Sequence, residues 1–150
     1  MADNHTPEVR SFNMSRIKSK DTQPEIWLRK QLFRKGYRYR KNVKSIPGKP
    51  DLFLRKYNTA IFVNGCFWHR HAGCKYSYTP KSRAEYWNNK FDSNIQRDQE
   101  NQKRLTELGI KWLIVWECTI NKMKRDEDYA SKRLAEIAEF LASDSRSFEL

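Results

Sequence analysis

The 150-residue sequence has no apolar run near the roughly 20 residues that a bilayer-spanning helix requires. Its opening residues, MADNHTPEVR, also lack the apolar core of a secretory signal. These absences predict a cytoplasmic protein with no membrane partner. Cysteine is scarce and odd in number: three residues cannot all pair within one chain, so a reducing compartment is the simpler reading. Histidine is equally rare, with only His5, His69 and His71. Acidic residues are few, 18 against 30 lysines and arginines, giving a formal net charge of +12. Such an excess points to a polyanionic partner. From Ile26 to Pro50 there is no acid at all but nine basic residues, with Tyr37 and Tyr39 between them. A merely solvated face would mix signs, so this block reads as a phosphate-contacting surface.

What is present is enough for a core. The hydrophobic fraction is 38%, with five Trp, seven Tyr and eight Phe, which excludes a disordered basic tail. The length suits one domain. The expected division is a flexible basic arm over residues 1–20, a single domain over 21–142 and a C-terminal tail over 143–150. The arm carries Arg10, Arg16, Lys18 and Lys20, and a plain disordered terminus is the competing reading.

Local signals place the elements. Thr22-Gln-Pro-Glu25 predicts a capped helix start and Gly36 a left-handed stop. Asp51-Leu-Phe-Leu reads as a short strand, turning at Lys56-Tyr57-Asn58 and returning through Thr59 to Val63. A turn centred on Tyr57 sets Asp51 opposite Val63, or opposite Asn64 if the register shifts by one. Ser82-Arg-Ala-Glu85 is a second capping-box signature. It introduces a long polar helical stretch ending at Gly109, with a break expected near Asp92 to Asn94. Ile110 to Glu117 reads as a buried strand, and Leu134, Ile137, Ala138 and Leu141 mark a closing amphipathic helix. The order indicates an α/β domain with a mixed sheet flanked by helices. A long helical connection can return the last strand parallel to the second hairpin strand, so Cys66 and Cys118 would emerge side by side.

Cys66-x4-His71-x2-Cys74, with Cys118 as a remote fourth, therefore reads as a structural zinc site; ordinary reduced thiols are the alternative. If His71 holds zinc, His69 is free to deprotonate a water that attacks phosphorus. Asp51, helped by the Val63 carbonyl across the hairpin, offers hard oxygens for Mg²⁺. Taken alone, an aspartate after Pro50 would be read as a turn cap. Phe67 and Trp68 can be core residues or, on a pinned loop in basic surroundings, wedges between base pairs.

The run Ile61-Phe-Val-Asn-Gly-Cys-Phe-Trp-His-Arg-His71, with Pro47-Gly-Lys-Pro-Asp51 and Trp112-Leu-Ile-Val-Trp-Glu-Cys118, resembles the very-short-patch repair (Vsr) DNA mismatch endonuclease family. The similarity runs from Asn13-Met14-Ser-Arg-Ile17 to Leu141. It implies a type II restriction-endonuclease-like core that nicks duplex DNA 5′ to the T of a T·G mismatch left by deaminated 5-methylcytosine. It implies that Asp51 and the Val63 carbonyl bind Mg²⁺, that His69 acts on the attacking water, and that Glu25 and Asp98 support the site. It assigns zinc to Cys66, His71, Cys74 and Cys118. It also makes Phe67, Trp68 and Trp87 intercalators, with the arm around Met14, including Arg16 and Lys18, reaching the opposite groove. Recruitment by mismatch-repair proteins such as MutL and a monomeric state belong to the same expectation.

Three departures accompany the resemblance. Asn64 stands where some members carry a histidine, so a water-positioning role there loses its titratable group. Val63 replaces a threonine, which is harmless if only the carbonyl binds metal. The zinc loop is one residue longer than in the best-known member. Two other readings compete: a zinc-containing nucleic-acid-binding module without chemistry, and a nuclease of the same fold with restriction or homing specificity.

Overall fold

The computed structural model describes residues 21–150, so the basic arm with Met14, Arg16 and Lys18 lies outside the described residues. Thr22 starts helix α1 (Gln23–Arg34) as its residue type predicts: Oγ1 accepts from the Glu25 amide at 3.5 Å, and Pro24 sits in the first turn. The return half of the capping box differs. Glu25 Oε2 accepts from the amide of Asp21, one residue before the cap, at 2.9 Å. The helix stops at Gly36, whose φ of +97° needs the missing Cβ.

Five strands form one sheet in chain order: β1 (Arg40–Lys41), β2 (Leu52–Leu54), β3 (Thr59–Asn64), β4 (Lys111–Trp116) and β5 (Ser147–Glu149). The first three are antiparallel neighbours, while β3–β4 and β4–β5 are parallel, so the sheet is mixed as expected. A 3-10 turn over Arg55–Tyr57, followed by left-handed Asn58, closes the hairpin. Leu52 faces Ile61, which extends to Asp51 level with Phe62, one residue from the expected register. The difference arises because the turn centres between Lys56 and Tyr57 rather than on Tyr57.

The connection from β3 to β4 contains helix α2 (Ala84–Glu107), 24 residues long and unbroken, so the break expected near Asp92 to Asn94 does not occur. Burying only Phe91 and Leu105 suffices, because the sheet needs one narrow stripe of this helix. The second capping box is also absent. Arg83 occupies the cap position with φ +56°, no side chain caps the helix, and the Arg83 guanidinium lies 4.6 Å over the Tyr86 ring. Helix α3 (Glu117–Arg125) follows β4 directly, and α4 (Glu127–Ala142) starts on Asp126, which accepts from the Tyr129 amide at 3.1 Å.

Alternation along β4 divides the interior. Leu113 and Val115 join Leu52, Leu54 and Ile61 in a core completed by Leu28 and Leu32 of α1, Ile120 and Met123 of α3, and Ile137 and Leu141 of α4. Ile114 and Trp116 point to the other face and pack around Cys66. β5 and α3 had no place in the sequence reading: β5 lies in the stretch expected to be a tail, and α3 follows a strand with no intervening turn residue. Lys111 Nζ donates to the carbonyls of Phe140, Leu141 and Ser143 at 2.8, 3.2 and 2.8 Å, tying the end of α4 to the sheet. Among the described residues no helix is long and apolar enough to cross a membrane.

Two left-handed glycines separate backbone strain from crowding. A Cβ on Gly109 (φ +73°) would meet nothing within 4 Å, whereas on Gly48 (φ +83°) it would lie 2.9 Å from the Phe62 ring and 3.3 Å from Asn101 Nδ2. Gly109→Ala should cost about 1–2 kcal/mol from backbone conformation alone. Gly48→Ala should cost at least about 1 kcal/mol more from overpacking. Urea unfolding of both variants checks this, and equal losses would contradict the close approach of the Gly48 loop to Phe62.

Candidate active site

Parallel pairing of β3 with β4 sets Asn64 beside Trp116, so both strands end at the same edge of the sheet. Two residues beyond each lie Cys66 and Cys118. The loop after β3 folds His71 and Cys74 back onto them, and the four ligand atoms all lie within 4.8 Å of one another. His71 Nδ1 is 3.6 Å from Cys66 Sγ and 3.4 Å from Cys118 Sγ. None of the cysteines forms a disulfide. The His71 ring stacks on Trp116 with centroids 4.2 Å apart and planes 7° from parallel, and Trp116 Nε1 donates to Glu149 Oε1 of β5. Burial pushes the Cys66 thiol up to about 12 and raises Cys118 as well. Sulfurs gathered this closely resist ionising unless a cation balances them. Three sulfurs and one imidazole nitrogen can hold a metal ion.

The same loop carries Phe67, Trp68, His69 and Arg70. Arg70 stitches it together, donating to the carbonyls of Tyr78 at 2.9 Å and Ser77 at 2.9 Å and to Thr79 Oγ1 at 3.1 Å. Its guanidinium also lies 3.9 Å over the Phe91 ring. Sequence reading missed this role, because a lone arginine between two histidines carries no local signal. Phe67 is the hub of an aromatic cluster, with ring centroids 5.0 Å from Trp68, 5.7 Å from Trp87 and 5.2 Å from Phe91. Phe91 is buried, whereas Phe67, Trp68 and Trp87 are only half-buried, so Trp87 is not the core residue that its helical position alone suggests.

Beside this cluster opens a cleft of about 790 Å³ lined by Glu25, Asp51, Val63, Asn64, His69 and Asp98, with Trp68 on its wall. His69 Nδ1 sits 2.6 Å from Asp98 Oδ2 of α2. With Asp98 accepting from Nδ1–H, the Nε2 lone pair is left to take a proton. The Val63 amide donates to Asp51 Oδ2 at 2.6 Å. Asn64 and Glu25 are buried, and Arg29, also buried, pairs with Asp21 at 2.8 Å. Burial pushes the Asp51 carboxyl up to about 7; the Val63 amide opposes the rise, the Glu25 carboxylate adds to it, and Arg29 offsets part.

The structure thus brings Glu25, Asp51, Val63, Asn64, His69 and Asp98 to one cleft, with Phe67, Trp68 and Trp87 beside it and the four Cys/His residues behind. Lys90, Asn94, Arg97 and Asn101 of α2 also line the cleft and were missed. Their spacing of three or four residues marks one helix face, which is the signal that finds them. Asn94 Nδ2 donates to the Trp68 carbonyl at 3.0 Å and ties this face to the aromatic loop.

A family model described as DNA mismatch endonuclease Vsr matches residues 2–75. The Type II nicking enzyme V.NmeAIP of Neisseria meningitidis serogroup A is 46% identical over 120 residues, covering 80% of this chain and 85% of that protein. The DNA mismatch endonuclease Vsr of Escherichia coli K12 is 40% identical over 137 residues, covering 91% and 87%. The Type II nicking enzyme V.XorIIP of Xanthomonas oryzae pv. oryzae is 39% identical over 123 residues, covering 82% and 90%.

The raised Asp51 carboxyl makes a signed prediction for the protein without added divalent cation. Between the ordinary aspartate value of 3.8 and about 7, the folded state binds a proton that the unfolded state has released. Asp51 therefore contributes stability that is fully present below pH 4 and is lost as pH rises through 7. Urea unfolding at intervals from pH 4 to 8 should show a smaller decline for Asp51→Asn than for the parent. Parallel stability curves would contradict the burial of a protonated Asp51.

Proposed function

The chain belongs to the DNA mismatch endonuclease Vsr family, and on that footing we propose that it nicks duplex DNA 5′ to the T of a T·G mismatch left by deaminated 5-methylcytosine, starting very short patch repair. It is a DNA endonuclease of the nicking kind, which sets aside the reading as a binding module without chemistry. We assign it a type II restriction-endonuclease-like core. One cut in one strand needs only one such site, so a monomer suffices.

The observation that carries this proposal is the convergence of the His69–Asp98 pair and the Asp51 and Glu25 carboxyls on a single cleft walled by Trp68. His69, oriented through Nδ1 by Asp98 at 2.6 Å, takes a proton at Nε2 from the attacking water. The oxygen then bonds to phosphorus as the bond to the leaving sugar oxygen breaks. Asp51 and Glu25 are two carboxyl groups in a confined space, and the Asp51 carboxyl stays raised despite Arg29 nearby, which suits a hard divalent cation. Asp51 and the Val63 carbonyl would hold Mg²⁺, which when bound polarises the phosphate and stabilises the departing oxygen. Glu25 and Asn64 fill the remaining wall beside Asp51 and order the water that His69 activates. Cys66, His71, Cys74 and Cys118 would hold Zn²⁺ as a closed tetrahedral site, which anchors the loop and takes no part in the chemistry.

Selectivity follows from the neighbours of His69. Phe67, Trp68 and Trp87 are large, half-exposed rings already packed against one another, and so lose little freedom on entering a base stack. Wedging them between base pairs costs a few kcal/mol of unstacking, roughly, and a mismatch lowers that cost. Deformability rather than charge then chooses the site.

A labelled duplex containing one T·G pair, incubated with Mg²⁺, should be nicked in the T-bearing strand only, while matched duplex and single strand stay intact. Cutting of matched DNA would favour a restriction-like specificity instead. Asp51→Ala and His69→Ala should each slow nicking by about 10²- to 10⁴-fold while leaving duplex binding largely unchanged. Full activity in either variant would overturn its assignment.

A further inference from the structure

Next to the catalytic cleft lies a second concavity of about 430 Å³, between the 44–49 loop and α2. Its charged lining is Lys44, Lys49, Arg97 and Arg104, and no carboxylate lines it. Among the described residues none of these four side chains takes part in a hydrogen bond, an ion pair or a ring contact. Other basic side chains of this protein do find partners: Arg29 pairs with Asp21, Lys111 binds helix carbonyls, and Arg70 binds loop carbonyls. Four unpaired like charges around one hollow repel one another, so the arrangement favours an anionic occupant.

The hollow is built rather than incidental. Gly48 and Lys49 both have positive φ, +83° and +48°, which turns the loop tightly against α2. The absent Cβ of Gly48 lets the loop approach Phe62 and Asn101, and any side chain there would meet the Phe62 ring at 2.9 Å. Arg97, Asn101 and Arg104 are spaced four and three residues apart and share one face of α2. Gly48, Lys49, Arg97 and Asn101 line both the hollow and the catalytic cleft, so the two form one continuous channel.

We infer that Lys44, Lys49, Arg97 and Arg104 form a cradle for one backbone phosphate of the DNA, within about three nucleotides of the bond that is cut. The distance comes from the helix. Asp98 marks the catalytic end and Arg104 the far end, six residues on, or about 9 Å at 1.5 Å per residue. Phosphate charges recur about every 3.4 Å of axis along one strand, so a cradle reaching no farther than about 9 Å lies within about three of them. A cradle at a fixed distance sets the register of the strand in the cleft, which a diffuse basic surface does not do. The inference rests on the nicking reading above and adds to it a defined position on the DNA.

The test replaces single phosphates by neutral methylphosphonates, one position at a time, along both strands of a T·G duplex, and reads binding rather than cleavage. Parent protein should lose about tenfold in affinity at one position within about three nucleotides of the nick. Lys44→Gln/Arg104→Gln, which leaves the catalytic cleft lining intact, should bind unmodified duplex about tenfold more weakly and with a salt slope smaller by about 1. That variant should be indifferent to the methylphosphonate at the cradle position while remaining sensitive elsewhere. Losses that multiply at every position would overturn the cradle, as would an unchanged salt slope. Thermal melting confirms that the variant is folded, and Lys49→Gln/Arg104→Gln repeats the test with a different loop residue. If the parent binds but does not nick, the proposed activity fails while the binding scan still decides the cradle.

Discussion

The parallel pairing of β3 with β4 is the constraint on which the rest of the structure depends. It brings Cys66 and Cys118, far apart in sequence, to the same sheet edge, and only there can His71 and Cys74 close a four-ligand cluster. The loop between those ligands presents Phe67, Trp68 and His69, and a metal in the cluster would fix it. The crossover that permits parallel pairing is α2, which in turn supplies Asp98 to His69, Asn94 to the Trp68 carbonyl and Trp87 to the aromatic cluster. One topological choice therefore sets the Cys/His cluster, the proposed base and the proposed wedge together.

Around this frame the cleft and the neighbouring surface carry opposite charge. Three acids gather at the cleft: Glu25 is buried, the Asp51 carboxyl is pushed up to about 7, and Asp98 faces His69. Lys44, Lys49, Arg97 and Arg104 lie beside them, unpaired, along the 44–49 loop and one face of α2. Such a separation costs stability in the free protein, since buried carboxyls and crowded cations both want counter-charge. It is the arrangement expected of a chain completed by divalent cations within and by nucleic acid without.

Much of this was legible in the sequence where the signal is local or strongly patterned. Thr22, Pro24 and Gly36 start and stop α1 by their own chemistry, and the buried run of β4 with a long preceding connection implied the parallel pairing. The spacing of Cys66, His71 and Cys74 was readable because three ligand types so close together have few other uses. The contact of His69 with Asp98 was not readable from the residues, because 29 positions separate them and only the resemblance connected them. The Ser82 to Glu85 signature misled, since a capping box forms only if tertiary packing places the chain there, and Arg83 over Tyr86 takes that place. α3 was hidden because Trp116 passes into Glu117 without a glycine or proline, and β5 because three residues with exposed ends carry no pattern. The α2 stripe of Lys90, Asn94, Arg97 and Asn101 reads as solvated surface until the loop packs against it.

We propose that a metal held by Cys66, His71, Cys74 and Cys118 locks the loop that carries Phe67, Trp68 and His69. X-ray absorption at the zinc edge of the purified protein tests it most directly. The account predicts one zinc per chain, coordinated by three sulfurs and one nitrogen at distances near 2.3 and 2.0 Å, roughly those of structural sites. A folded protein without metal, or with zinc bound only by nitrogen and oxygen, would contradict it.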